Sequence, residues 1–220
     1  PPGRRRLAQE VAMPGDAAAA AEREWLVGNG LGGYAAGTEA GALTRRFHGV
    51  LIAALPAGRT LLLNRLDEEL PEAVEGLRLL ELALSEGLPR WRYQAPLPGG
   101  VGCLEKRLFL VRGCNTCVVL YRRVDTEPRP LALRLRPALS PRRHDGRVDQ
   151  PLAELGVAER PAEPGAAAPQ VGLELTAPTL PALRLLLFAE GRFARDAQPL
   201  RLAVDYPVEQ ASGYDHHGEL

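Results

Sequence analysis

The residues best suited to a chemical role lie in a short glycine-rich segment near the N-terminus. Gly28, Gly30 and Gly33 have the spacing G-x-G-x-x-G, which lets a backbone turn tightly, approach a pyrophosphate and begin a helix whose N-terminus binds the anion. A dinucleotide site also needs a buried strand before the glycines and an acidic residue at the end of the next strand. Only residues 25–27 are available as the first strand, and residues 50–55 end without an acid. The context therefore argues against nucleotide binding.

A structural role for the glycines is the favoured alternative. A loop that needs positive φ or a close backbone approach selects glycine. Four of them lie together in this segment: Gly28, Gly30, Gly32 and Gly33. Asn29 and Tyr34 belong to the same segment, and we consider both as candidate contacts with a substrate or a neighbouring domain.

Arg45, Arg46 and His48 follow the glycines directly. If this stretch leads into a strand, neighbouring side chains alternate between two faces, so the two arginines point in opposite directions. The donor fork of arginine suits a carboxylate or a pair of sugar hydroxyls, and histidine can bond to either. Two interpretations stay open. Either these residues contact glycan or a partner domain, or they form an internal salt bridge that holds the glycine loop in place.

Carboxylates that could catalyse glycoside hydrolysis are not evident. That reaction needs two of them across the scissile bond, one acting as general acid and the other as nucleophile or base. The consecutive acids of residues 67–69 follow a predicted strand and are typical of a solvated turn. Glu105 precedes Lys106 and Arg107, which favours pairing with cations. We therefore predict no catalytic residue in this chain.

Metal and cofactor sites are not predicted either. Cys114 and Cys117 have C-x-x-C spacing, but zinc or thiol exchange would need a second ligand pair or a helix N-terminus. Residues 113–115 instead indicate a hairpin turn between two strands. His216 and His217 lie at the end of the sequence, where chains are commonly mobile. The three cysteines, an odd number, are expected to be free thiols.

Composition excludes several classes of partner. The 220 residues carry 27 basic and 27 acidic side chains, so the whole chain has no electrostatic footprint for nucleic acid or for an anionic membrane. No apolar run reaches the 18 residues that indicate a membrane span. With few cysteines and no signal-peptide core, a cytoplasmic location is expected.

Short apolar runs separated by proline and glycine dominate the sequence after residue 49. Several alternate strictly, as in residues 131–136 and 200–205, which places apolar side chains on one face of a strand. No helical segment separates the runs after residue 85, so a parallel βαβ arrangement is disfavoured. We predict an all-β fold, a large antiparallel β-sandwich with at most a short N-terminal helix around residues 16–26.

Five blocks of the sequence share a pattern with a known family. EWLVGNGLGGYAAGT (residues 24–38) and TRRFHGVLIAA (44–54) are followed by GRTLLL (58–63), by LEKRLFL (104–110) with NT (115–116), and by YPVEQASGYD (206–215). This set resembles the N-terminal domain of bacterial and archaeal glycogen debranching enzymes of the amylo-α-1,6-glucosidase type. Ser212 stands where that family usually has arginine.

The resemblance implies a large β-sandwich beside a helical α/α-barrel that carries the catalytic acids. Residues 1–23 would then be an N-terminal extension that is partly helical or disordered, 24–210 the sandwich, and 211–220 the start of a linker to the barrel. The chain would be non-catalytic, with the barrel and a branched α-glucan such as glycogen as its partners. Two other hypotheses are a stand-alone carbohydrate-binding module, which would need exposed aromatic side chains, and the nucleotide-binding protein discussed above.

Overall fold

A computed structural model describes residues 22–73, 75–125, 131–151, 154–160, 171–178, 180–188, 191–194 and 201–220. Within them the chain forms sixteen strands and one short helix, α1 (Pro207–Ala211). The strands are β1 (Glu24–Gly28), β2 (Tyr34–Thr38), β3 (Gly49–Leu55), β4 (Gly58–Leu63), β5 (Arg65–Glu69), β6 (Arg78–Ser85), β7 (Leu88–Leu97), β8 (Gly100–Leu110), β9 (Cys117–Arg123), β10 (Arg134–Ala138), β11 (Arg142–Arg143), β12 (Gly156–Arg160), β13 (Val171–Ala177), β14 (Leu180–Leu187), β15 (Ala203–Asp205) and β16 (His217–Glu219).

The strands form antiparallel sheets. The largest has the order β1-β2-β3-β4-β11, and a four-stranded sheet follows the meander β6-β7-β8-β9. A three-stranded sheet, β12-β13-β14, and the pairs β5-β10 and β15-β16 complete the set. Strands account for 56% of the described residues and helix for 3%. The prediction of an all-β, sandwich-like fold is therefore confirmed.

The main core is shared by three of these sheets. Val27 and Ala35 contribute from the five-stranded sheet, Trp91 and Leu108 from the four-stranded sheet, and Leu175 from the three-stranded sheet. Alternation along the strands explains this sharing, since in β8 every second side chain from position 104 onward points inward. A continuous apolar cluster between sheet faces is how a sandwich buries its surface.

The opposite face of the five-stranded sheet carries a second, smaller cluster. Tyr34, Ala36, Ile52 and Leu61 are buried together there. The segment that includes residues 44–49 lies against this face, because the hydroxyl of Tyr34 donates to the carbonyl of Phe47 at 3.2 Å. A third cluster joins distant parts of the chain: Leu43, Val148, Tyr206 and Leu220. Both faces of the five-stranded sheet therefore carry buried apolar side chains.

Some elements differ from the sequence prediction. Residues 24–26, expected as the end of an N-terminal helix, form part of β1, while residues 16–21 lie outside the described part of the chain. Residues 67–69, expected as a solvated turn, belong to β5, which pairs with β10. Both predictions were wrong because strand pairing overrode the local pattern: β1 pairs with the neighbouring β2, and β5 pairs with the distant β10.

Candidate functional site

The glycine loop, residues 28–33, connects β1 and β2 and is organised around the buried side chain of Asn29. The Oδ1 atom of Asn29 accepts hydrogen bonds from the backbone N–H of Leu31 at 2.9 Å and of Gly33 at 3.0 Å. Its Nδ2 donates to the carbonyl of Cys114 at 3.0 Å and to Oδ1 of Asn115 at 3.1 Å. One amide side chain therefore closes the loop and attaches it to the β8–β9 turn.

Asn115 extends this network to a third element. Its Nδ2 donates to the carbonyl of Ala54 at 2.8 Å, and its Oδ1 accepts from the N–H of Ala54 at 2.9 Å. Three of the blocks that carry the resemblance, which begin far apart in sequence, meet through these two asparagines. Buried amide pairs of this kind satisfy backbone groups that would otherwise be costly to bury.

The glycines have conformational and steric roles in this loop. Gly30 and Gly32 have φ values of +80° and +93°, a region that other residues rarely adopt. A Cβ on Gly33 would lie 2.6 Å from Nδ2 of Asn29 and 2.9 Å from the carbonyl oxygen of Ile52. Strand β2 follows the loop where a dinucleotide site requires a helix. Gly28, Gly30 and Gly33 therefore do not build that site.

His48 is buried in the segment that follows the loop, here called the TRRFHG turn (residues 44–49). Its Nδ1 lies 3.3 Å from the backbone N–H of Thr44, and its Nε2 lies 3.3 Å from Oε1 of Glu24. Burial lowers the pKa of His48 to about 4, although the neighbouring Glu24 opposes that shift. The imidazole is therefore neutral at pH 7, with Nδ1 accepting from Thr44 and Nε2–H donating to Glu24.

The two arginines of the TRRFHG turn pair with different carboxylates. Nε of Arg45 lies 2.6 Å from Oε1 of Glu24, and Nε of Arg46 lies 3.5 Å from Oε2 of Glu209. The residues form a turn, closed by the N–H of His48 bonding to the carbonyl of Arg45 at 3.0 Å. The prediction of strand alternation at this point was wrong, but the side chains do point in different directions.

The segment of residues 206–215, here called the C-terminal segment, is attached to the TRRFHG turn. The N–H of Val208 in α1 donates to the carbonyl of Thr44 at 3.2 Å, and Oε1 of the buried Glu209 accepts from the N–H of Arg46 at 3.3 Å. The guanidinium of Arg46 also lies over the ring of Tyr214, 5.1 Å from its centroid. Backbone, ion-pair and ring contacts therefore join two segments more than 150 residues apart in sequence.

Arg142 in β11 also contacts this junction between the TRRFHG turn and the C-terminal segment. It donates to the carbonyl of Arg46 and bonds to the side chain of Tyr206. Burial lowers the pKa of Arg142, and burial also raises the pKa of Tyr206 despite the opposing effect of Arg142. A buried guanidinium needs such acceptors to offset the loss of its hydration.

Among the predicted candidates, Asn29, Tyr34 and His48 are buried, and the chain itself bonds to each of them. Burial raises the pKa of Tyr34 to about 12. Arg45 and Arg46 are partly exposed, at 34% and 26% of the side chain. Leu31 in the glycine loop and Leu26 beside it are exposed at 55% and 66%. The role of these residues as substrate or interface contacts stays a prediction.

The carboxylates considered for catalysis are bound by cations. Glu68 on β5 contacts Nζ of Lys106 and accepts from the hydroxyl of Tyr121 at 2.6 Å. Glu105 pairs with Arg107 at 2.9 Å, as the sequence predicted, and with Arg122 of the next strand at 3.0 Å. Both carboxylates are therefore engaged in contacts within the chain.

The cysteines, a possible metal site and the tryptophans are the remaining candidates from the sequence. Cys114 is exposed in the β8–β9 turn, and burial raises the pKa of the Cys117 thiol to about 12. Within the ranges described above, no three His, Cys, Asp or Glu side chains are grouped so that they could hold a metal ion. Trp25 packs edge-on against the buried Trp91, with ring centroids 5.1 Å apart, so neither tryptophan forms an exposed platform for a sugar.

Sequence reasoning missed the partners of the candidates. Glu24 contacts Arg45 and His48, and Glu209 contacts Arg46. Asn115 holds the glycine loop. All three occur inside the blocks that carry the resemblance, which was the available signal. Arg142 lies outside those blocks and had no such signal.

Comparison with known protein families identifies the family of this chain. The family model described as glycogen debranching enzyme N terminal matches residues 23–220. The chain belongs to that family. Searches among curated proteins and among solved structures gave no match. No helical stretch in the described ranges has the length and hydropathy needed to cross a lipid bilayer.

Proposed function

We propose that this chain is the non-catalytic N-terminal domain of a cytoplasmic enzyme that hydrolyses α-1,6-glucosidic branch points in glycogen. Its match to the debranching-enzyme N-terminal family over residues 23–220 carries the proposal. The cation-bound state of Glu68 and Glu105 supports a non-catalytic role. Unpaired thiols at Cys103, Cys114 and Cys117 agree with a reducing compartment.

The domain's task is to position a catalytic α/α-barrel. The C-terminal segment resembles the family segment that leads into the barrel, and it is attached to the TRRFHG turn through Glu209 and the N–H of Val208. The turn in turn lies against the five-stranded sheet through Tyr34 and Glu24. A rigid connection of this kind fixes where the barrel begins. The exposed Leu26 and Leu31 supply apolar surface for contact with it.

Glycan contact is a second candidate role. The ring of Tyr214 is exposed at 57%, and the guanidinium of Arg46 occupies one of its faces. An aromatic ring held in this way can stack on a sugar with its free face. A single exposed tyrosine is a small platform, so we assign it a contact that assists the barrel, not the independent binding expected of a carbohydrate-binding module.

Complementation in trans tests the supporting role. The natural enzyme is expressed without this domain, and glucose release from glycogen limit dextrin is measured before and after the purified 220-residue chain is added. We expect little activity from the truncated enzyme and recovery on addition of the domain. A chain carrying both Leu26→Ser and Leu31→Ser should restore less. Full activity of the truncated enzyme alone would contradict the proposal.

A further inference from the structure

One face of the four-stranded sheet is rich in arginine and points away from the core. Cross-strand register places Arg92 opposite both Glu81 and Glu105, and Glu105 opposite Arg122. In the next row Arg90 lies opposite Arg107. These side chains alternate with the inward-facing Trp91 and Lys106, so they share the outer face. We call it the arginine face, and its charged members are Arg78, Glu81, Arg90, Arg92, Glu105, Arg107 and Arg122.

The carboxylates of the arginine face lie beneath the guanidinium groups. Glu81 pairs with Arg90 at 2.9 Å and with Arg92 at 3.7 Å. Glu105 is shared in the same way between Arg107 and Arg122. The side chain of Glu105 is only 6% exposed, whereas that of Arg122 is 67% exposed. Solvent therefore meets mainly guanidinium donors on this face.

The face has an excess of positive charge. Arg78 bonds to Oε1 of Gln94 at 2.8 Å, and in the described part of the chain no carboxylate pairs with it. Five arginines and two glutamates give a formal charge of +3, on a chain whose total is zero. Each guanidinium has five N–H donors, and the bonds described here use only one or two of them. The unused donors of the exposed Arg92, Arg107 and Arg122 are available to a partner.

We propose that the arginine face is a docking surface for an acidic protein surface. The recognition chemistry is already present, because each glutamate of the face is held by two guanidinium groups, whose fork matches a carboxylate. Leu88 and Leu120 lie on the same face and are exposed at 39% and 50%. Arginine together with exposed apolar side chains is typical of protein interfaces. This assignment is independent of the debranching role.

Two other occupants fit less well. A second copy docked through the same face would place +3 against +3, and like charges across an interface are strongly unfavourable. A polyphosphate or nucleic acid would be attracted by the guanidinium groups, but it would leave Leu88 and Leu120 without apolar contacts. Both remain measurable outcomes of the experiment below.

Fluorescence anisotropy with labelled poly-L-glutamate tests the proposal on the 220-residue chain. The wild type should bind, and binding should weaken as salt is added. The triple variant Arg78→Gln, Arg92→Gln, Arg122→Gln should weaken binding by about tenfold or more. It leaves Arg90 with Glu81 and Arg107 with Glu105, so no carboxylate loses both partners.

A matched control removes the same charge elsewhere. Arg143→Gln, Arg147→Gln, Arg201→Gln changes three exposed arginines, each paired with an acid outside this face, and should leave affinity within about twofold. Urea unfolding midpoints verify that both triple variants fold. If the arginine-face triple variant does not fold, the single variant Arg122→Gln replaces it in the binding measurement. The proposal is overturned by absence of wild-type binding, by equal loss in the two triple variants, by tighter binding of polyphosphate of equal charge, or by a dimer that the arginine-face variant abolishes.

Discussion

At the scale of single residues, the candidate site consists of polar side chains that hold the backbone of the chain. Asn29 uses both ends of its amide on neighbouring backbone and on Asn115, and His48 joins the N–H of Thr44 to Glu24. Buried polar groups that are hydrogen-bonded in this way contribute to stability mainly because leaving them unpaired in a buried site is costly. Substitutions of these residues should therefore affect folding before they affect recognition.

His48 should make stability depend on pH. Its pKa is about 4 in the folded chain and close to 6.5 when unfolded, so between these values the unfolded chain binds more protons. The free energy of unfolding should then fall as pH drops from 6.5 to about 4, by at most about 1.4 kcal/mol per pH unit from this group. Urea unfolding at several pH values measures the slope.

The variant His48→Gln isolates the contribution of His48 to that slope. It should flatten the pH dependence between pH 5 and 6.5, whereas the control His216→Gln, which leaves the TRRFHG turn intact, should not. An unchanged slope in His48→Gln would mean that the imidazole is not held neutral by burial.

Gly33 should tolerate no side chain. A Cβ there would approach Nδ2 of Asn29 and the carbonyl of Ile52 too closely, so Gly33→Ala should destabilise the chain by roughly 1–3 kcal/mol, as overpacking does. Gly100→Ala is the matched control, since nothing lies within 4 Å of the added atom. Urea midpoints compare the two. Equal midpoints would show that the loop can relax and that the Asn29 network is not tight.

At the scale of elements, the junction between the TRRFHG turn and α1 determines how the C-terminal segment is held. Arg46→Ala removes the cation beside the buried Glu209 and the ring contact with Tyr214. We expect a loss of roughly 1–3 kcal/mol in the isolated chain, part of the cost of breaking a buried pair. Arg134→Ala removes one exposed arginine from Glu69, which keeps its pair with Arg136, and is the control.

Urea unfolding of the isolated chain distinguishes the two interpretations of Arg46. A loss within the stated range identifies an internal support of the junction. If Arg46→Ala instead unfolds like the wild type and lowers only the debranching activity of the full-length enzyme, the residue contacts a partner or glycan, and the junction does not depend on it.

The sequence predicted these elements unevenly. Alternation in residues 131–136 and 200–205 predicted strands, and β10 and β15 include residues 134–136 and 203–205. β1 ends in the glycine loop and is too short for such a pattern. The pairing of Arg46 with Glu209 joins residues 163 positions apart, and no local rule can predict a contact at that separation. Only the family resemblance indicated that both Arg46 and Glu209 have a role.

At the scale of the whole molecule, the structure is a nearly all-β chain, for which we propose the role of positioning a catalytic partner domain. The described strands and the single short helix predict a far-UV circular dichroism spectrum dominated by β structure. Helix content above about a third, the usual level of mixed globular proteins, would contradict the all-β assignment.

Glucose release from glycogen limit dextrin tests whether catalysis belongs to the partner domain. The full-length enzyme that contains this domain and the purified 220-residue chain are assayed side by side at equal molar concentration. We expect release by the full-length enzyme and none by the isolated chain, because general acid and nucleophile must both be present for hydrolysis. Turnover by the isolated chain that disappears on Glu68→Gln or Glu105→Gln, with the fold retained, would contradict it.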